Sequence, residues 1–321
     1  MVDMKIDLAK SDESCAMSKN RSPARCSQYA AQSFSLHSLK SKAQPLMFTL
    51  NCKGQLLVID KPIVMGILNT TPDSFYAGSR IEQRDDLLYR VETMLNEGAA
   101  ILDIGGQSTR PNSERVAAEE EMNRVVPAIE IISRNFPEVI ISIDTFYAAV
   151  AREAVAAGAS IVNDVSAGTL DKDLLPTVAS LGVPYVLMHM KGNPQTMQQN
   201  PVYENVTLEV FDHLSFTLKS LHQQGIHDII IDPGFGFGKT IAHNFQLLRE
   251  LSFFQQLGKP LLAGLSRKGT VYKTLNTTPE KALNGTTVLH TIALMNGATI
   301  LRAHDVKEAK EAIDLFQAYQ K

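Results

Sequence analysis

From residue 47 onward, short apolar runs alternate with longer segments in which apolar and polar residues mix at helical spacing. The runs are IVMGILN (63–69), AAILDIG (99–105), VIISID (139–144), ASIVND (159–164), PYVLMH (184–189), DIIID (228–232), PLLAGLS (260–266) and ATILRAH (298–304). Each is continuous rather than strictly alternating, the mark of parallel strands covered on both faces. Between them the spacing predicts helices such as 82–97, 119–135, 147–157, 204–225, 242–257, 279–296 and 306–320. Gly98, Gly158, Gly182, Gly225, Gly258 and Gly297 read as helix-ending glycines ahead of the next strand. A hairpin-like stretch, FTLNCKGQLLVID, precedes the first run and turns at Lys53-Gly54. Eight β/α units in about 250 residues predict an α/β protein of the TIM (β/α)8 barrel class. An open doubly wound sheet is the competitor. It would carry a glycine fingerprint after its first strand, where this chain reads Asn69-Thr70-Thr71-Pro72.

Residues 1–46 lack this rhythm. They are rich in Ser, Lys and Arg and read as a disordered extension, with Met47 as a second plausible start and 47–321 as the barrel. The acids Asp3, Asp7, Asp12 and Glu13 speak against a transit peptide, and there is no secretory apolar core. Over the whole 321 residues, 44% hydrophobic and 20% charged residues suit a packed core. A net charge of −3 gives no sign of a nucleic-acid surface. No uncharged apolar run approaches the roughly 20 residues of a membrane span. The three cysteines, Cys15, Cys26 and Cys52, have no metal-ligand spacing and form no disulfide framework, so a cytoplasmic setting is expected.

Barrel active sites lie at the C-terminal ends of the strands. Here the runs end on Asn69, Asp103, Asp144, Asn163-Asp164, His189, Asp232, Ser266-Arg267-Lys268, and Arg302 with His304. Acids and amides come from the first four runs and the sixth, and bases from the last two. Carboxylates and amides suit a flat heterocycle rich in N–H donors. Lys268, Arg302 and His304 read as a cationic pole for phosphate. DPGFGFGKT (232–240) has neither Walker nor dinucleotide spacing and reads as a rigid turn that lets backbone approach a ligand. His189 reads as a histidine bonded to a neighbour rather than a base, and Asp103 as a possible structural acid for the loop behind it.

These segments, in this order, resemble the dihydropteroate synthase family. The matching blocks are GILNTTPDSF (66–75), DIGGQSTRP (103–111), ISIDT (141–145), IVNDVS (161–166), LMHMKGNPQTMQ (187–198), DPGFGFGKT (232–240), LSRKG (265–269) and LRAHDV (301–306). The resemblance implies condensation of 6-hydroxymethyl-7,8-dihydropterin pyrophosphate with p-aminobenzoate, giving 7,8-dihydropteroate and pyrophosphate for folate biosynthesis. It implies that Asp144, Asn163 and Asp232 hold the pterin. Lys268 would touch the pterin and the p-aminobenzoate region, and Phe237 would line the p-aminobenzoate pocket. Arg302, His304 and Asn69 would take the pyrophosphate, and Asn69 would also touch Mg²⁺. Thr109 and Arg110 would sit on a substrate-binding loop, and the family suggests a homodimer. The chain departs from the family pattern at Ala77, Gln107, Asn112 and Gly269. Two alternatives share the pterin-reading residues: a methyltetrahydrofolate–corrinoid methyltransferase barrel and a catalytically silent paralogue.

Overall fold

The computed structural model of the chain describes residues 47–70, 80–107, 115–192 and 201–321. The expectation for 1–46 lies outside them. Strands β1 (Phe48–Cys52) and β2 (Gln55–Ile59) pair antiparallel with Cys52 opposite Gln55. Their two-residue turn places Lys53 and Gly54 at φ 54° and 90°, both left-handed, as a tight hairpin requires. The barrel strands are β3 (Ile63–Asn69), β4 (Ala99–Gly105), β5 (Ile140–Asp144), β6 (Ile161–Asp164), β7 (Tyr185–Met188), β8 (Ile229–Asp232), β9 (Leu262–Ala263) and β10 (Ile300–Ala303). They form one parallel sheet in the order β8-β7-β6-β5-β4-β3-β10-β9. A bridge between Ile231 and Leu261 joins its two edges and closes the barrel. The seventh predicted run is the exception: only Leu262–Ala263 is strand, because the chain soon bends into Gly264 and the Ser266–Lys268 turn.

The helices are α1 (Arg80–Asn96), α2 (Ala118–Asn135), α3 (Ala148–Ala157), α4 (Leu174–Leu181), α5 (Val206–Gln223), α6 (Ile241–Arg249), α7 (Gly269–Thr274), α8 (Leu283–Met295) and α9 (Val306–Gln320). The short helices α4 and α7 were absent from the expectation, since eight and six residues carry too little periodicity to be read. The predicted 242–257 helix splits into α6 and a 3₁₀ segment at Leu251–Leu257. All six helix-ending glycines adopt positive φ, which a side chain would oppose.

Inside the barrel, side-chain direction alternates along each strand. One residue from every strand joins a separate apolar cluster: Met65, Ile101, Ile140, Ile161, Val186, Ile230, Leu262 and Ile300. Leu50, Cys52, Leu57 and Ile59 of the hairpin pack onto it and plug the N-terminal end. The hairpin is tied down by Asn51 N–H to Asp228 (3.0 Å) and Lys53 Nζ to the Val155 carbonyl (2.7 Å). The residues between, such as Leu102, Ile141, Val162 and Leu301, pack outward against the helices. Two residues further along the same inward rows stand Asp103, Ser142, Asn163, Met188, Asp232 and Arg302. The interior thus changes from apolar to polar within one side-chain step.

Candidate functional site

Asp103 is fully buried, and Asp144, Asn163 and Asp232 nearly so. Burying such groups is costly unless they are hydrogen-bonded or paired. Here one residue pairs two of the acids. Arg302 on β10 donates Nε to Asp103 Oδ2 and Nη2 to Asp144 Oδ2, both at 2.6 Å. Asp103 Oδ2 also accepts from Asn163 Nδ2 at 3.0 Å. Since Asn163 Nδ2 is directed at Asp103, its carbonyl oxygen Oδ1 is turned the other way and is available as an acceptor for a ligand. Asp232 takes the Gly234 N–H on Oδ1 at 2.7 Å, and Oδ2 lies on the Lys268 side. Burial raises the Asp144 carboxyl to about 7; Arg302 works against that rise, while Asp103 and Asp164 add to it. Burial raises the Asp232 carboxyl too, opposed by Lys268. For Arg302 burial disfavours the charge, yet Asp103 and Asp144 hold the guanidinium above its ordinary range.

The three bases do not form the single cationic pole that their order suggested. Arg302 is already gripped by two carboxylates from across the barrel. Lys268, at the start of α7, donates Nζ to the Phe235 carbonyl at 2.7 Å and stands 4.7 Å from the Phe237 ring centroid. Burial lowers its ammonium to about 8, and Asp232 resists that fall. His304 is exposed, with Nδ1 2.9 Å from Ser266 Oγ, whose oxygen also accepts the His304 backbone N–H. Arg267 leaves the site altogether. Its φ of 52° turns it outward to grip Asp305 with two hydrogen bonds of 2.9 and 2.8 Å. Asn69 is exposed at the end of β3. Phe237 packs with Phe146, Val165 and Met188 as an apolar wall beside Lys268. Thr109, Arg110 and Ala77 lie outside the described residues.

Other expectations change as well. Asp103 serves Arg302 and Asn163, while most of the loop behind it lies outside the described residues. Asp164 is no rim ligand: it accepts the Tyr185 hydroxyl (2.7 Å) and the Ser166 and Gly168 N–H groups, fastening the turn after β6. Gln107 donates to the buried Glu121 of α2 at 2.7 Å. The glycine-rich turn is shaped mainly by packing. A Cβ on Gly234 would lie 1.9 Å from the His189 carbonyl oxygen, and one on Gly238 2.4 Å from that of Lys191. Only Gly236 borders the site, near the Lys268 stem. Sequence reasoning placed Asp103 on the rim but gave it no ligand role. The signal available was its place two residues after Ile101, in the inward row.

This arrangement is an acceptor-lined floor beside an aromatic shelf with a cation on it. The pterin-binding enzyme family model matches residues 65–304. The dihydropteroate synthase of Escherichia coli is 43% identical over 271 residues, covering 84% of this chain and 95% of that one. That of Haemophilus influenzae is 42% identical, covering 84% and 98%. The crystal structure of the Yersinia pestis dihydropteroate synthase with a sulfonamide drug is 40% identical, covers 85% and 99%, and superposes with a TM-score of 0.80. The Xanthomonas albilineans enzyme in complex with 7,8-dihydropteroate is 40% identical with the same coverage and a TM-score of 0.76. With the family model spanning most of the barrel and relatives matched almost end to end, the chain belongs to the dihydropteroate synthases, pterin-binding transferases of folate biosynthesis.

Proposed function

We propose that the β4–β5–β6–β8–β10 rim binds 6-hydroxymethyl-7,8-dihydropterin pyrophosphate and that the Phe237–Lys268 shelf binds p-aminobenzoate. The observation that carries this reading is the commitment of Asn163 Nδ2 to Asp103. It leaves the Asn163 carbonyl, Asp232 and Asp144 as acceptors on one floor, matched to the N–H edge of an aminopyrimidine ring. The C–O bond breaks first and pyrophosphate carries off the electron pair; the arylamine nitrogen then attacks the cationic pterin methylene carbon and the C–N bond forms. The amine then loses a proton to solvent. An arylamine is already nucleophilic, so no side-chain base is required. Catalysis is positioning plus electrostatic stabilisation of the departing diphosphate by Arg302, Lys268 and His304. Thr109 and Arg110 belong to this substrate set by their place in the DIGGQSTRP motif.

The residues suit a Mg²⁺ that arrives on the diphosphate. Among the described residues no group of three or more His, Cys, Asp or Glu could hold a metal by itself. Asn69 Oδ1 offers one exposed amide oxygen beside the Asp144 carboxylate. Mg²⁺ is commonly held by one or two protein oxygens plus substrate phosphates. When bound, it would neutralise charge building on the leaving group. Asn69 would orient it.

No described helix is long and apolar enough to cross a membrane. A cytoplasmic homodimer fits this chain, and self-association is supported by Val288, Ile292 and Met295, exposed along one face of α8. Light scattering of the purified protein measures that. The decisive assay mixes the enzyme with dihydropterin pyrophosphate, Mg²⁺ and p-aminobenzoate. Pyrophosphate and dihydropteroate should appear together in equal amounts. Absence of dihydropteroate would overturn the reading in favour of a silent pterin-binding paralogue.

A further inference from the structure

Lysine is among the residues least often fully buried. Lys239, in the turn between β8 and α6, is only 2% exposed. Its ammonium sits in a closed cage: the Gly234 carbonyl at 2.9 Å, the Phe237 carbonyl at 3.0 Å, the His189 carbonyl at 3.2 Å and His189 Nδ1 at 2.9 Å. Three protons serve four acceptors, so the group has nothing left for substrate. An ammonium only donates. Burial lowers the Lys239 ammonium to about 7, with Asp232 resisting; in its charged form it makes His189 Nδ1 the acceptor and places the imidazole proton on Nε2. Burial first, and then the Lys239 charge, press the imidazole well below its ordinary range.

The cage ties together three pieces of chain. His189 is the end of β7. Gly234 is the first residue of the turn that lies flat on the His189 carbonyl. Phe237 is the ring on the site's apolar wall. With Gly234 and Phe237 fixed from inside, the Phe235 carbonyl between them is aimed at Lys268 Nζ, and the Phe237 ring is held beside the same ammonium. The acid of the turn is anchored mainly by β8 and its ladder, with one hydrogen bond from the caged Gly234 N–H to Asp232 Oδ1.

We infer that Lys239, seated on His189, is a positioning residue for the p-aminobenzoate half of the site, setting Phe237 and Lys268 without touching substrate. The inference rests on the functional reading given above. It separates the two substrates, which a general structural role would not do.

Steady-state pyrophosphate release, varied in each substrate, tests it in the full chain, alongside calorimetry with the dihydropterin alone. Lys239→Met should raise KM for p-aminobenzoate about ten- to a hundredfold, the scale expected when a reacting partner is displaced by about an ångström. Dihydropterin affinity should fall much less. His189→Ala should move KM in the same direction, while His189→Asn, whose amide oxygen can replace Nδ1 as acceptor, should restore it. A soluble Lys239→Met enzyme with wild-type KM for p-aminobenzoate would overturn the inference. So would equal loss of dihydropterin and p-aminobenzoate binding. If Lys239→Met does not fold, the His189 pair decides: equal KM for the Ala and Asn variants rejects the cage. A wild-type protein that forms no dihydropteroate would instead bring down the functional reading, a result distinct from either.

Discussion

The two ends of the barrel are built from the same eight strands and differ in almost every physical respect. At the N-terminal end, eight inward side chains and the hairpin form a dry apolar plug. One inward step along, Asp103, Asn163, Asp232 and Arg302 form a buried polar floor. The plug contributes stability through area removed from water and through close packing. The floor works the other way. Two buried carboxylates share one guanidinium, an arrangement that offsets its own desolvation cost at best. The lesson is that stability and recognition are separated along the strand axis, so each can be perturbed alone.

The largest effect should come from Arg302→Ala, which strands Asp103 and Asp144 without their cation. Loss of about 3–5 kcal/mol is expected for breaking a buried pair this way, read by denaturant unfolding. In single-turnover experiments pyrophosphate loss should fall more than substrate binding, because charge on the leaving group grows in the transition state. A wild-type rate of release would place the phosphate elsewhere. Ile230→Ala probes the plug. It should cost about 2–5 kcal/mol of stability and leave dihydropterin affinity alone. A large change in affinity would show that the two ends are not independent.

Asp232→Asn keeps the shape and removes the charge. Dihydropterin affinity should weaken by about 1.5–3 kcal/mol in a calorimeter. Unchanged affinity would remove Asp232 from the site. Glu121 sharpens the comparison from another side, being a fully buried acid bonded to the Gln107 amide. Burial raises it to about 7. The native state therefore holds a proton that the unfolded chain releases, and stability should fall as pH rises from about 4.5 through about 7. Glu121→Gln should remove on the order of 3 kcal/mol of that pH dependence, visible in thermal melts across the range. The smallest effect is expected for a chain beginning at Met47. Its hairpin and barrel are intact, and its turnover number should match the full chain's; a loss would give residues 1–46 a part in catalysis.

Much of this was legible in the residues themselves. The bounds of β3 and β4 coincide with their apolar runs, and most other strands fall within a residue or two of theirs. The Lys53-Gly54 turn and the helix-ending glycines followed from backbone sterics, which act locally. Helices α4 and α7 escaped because a helix of two turns leaves no periodic trace. The role of Lys239 escaped because the glycines around it looked like ligand-facing turn residues.

The sequence by itself determined which strand ends carry acids, amides and bases, because side-chain alternation and β/α rhythm are properties of neighbouring residues. Only the tertiary structure decided which of them bond. Arg302 reads as a free phosphate ligand until the barrel closes. Closure then sets it against Asp103 and Asp144, 199 and 158 residues away along the chain. Asn163 could present either end of its amide until Asp103 claimed one, and Lys239 could have reached solvent until His189 and two carbonyls enclosed it. Periodicity is written in residues a few positions apart. Pairing of buried charges is a matter of distance and dielectric between strands that meet only when the sheet is closed.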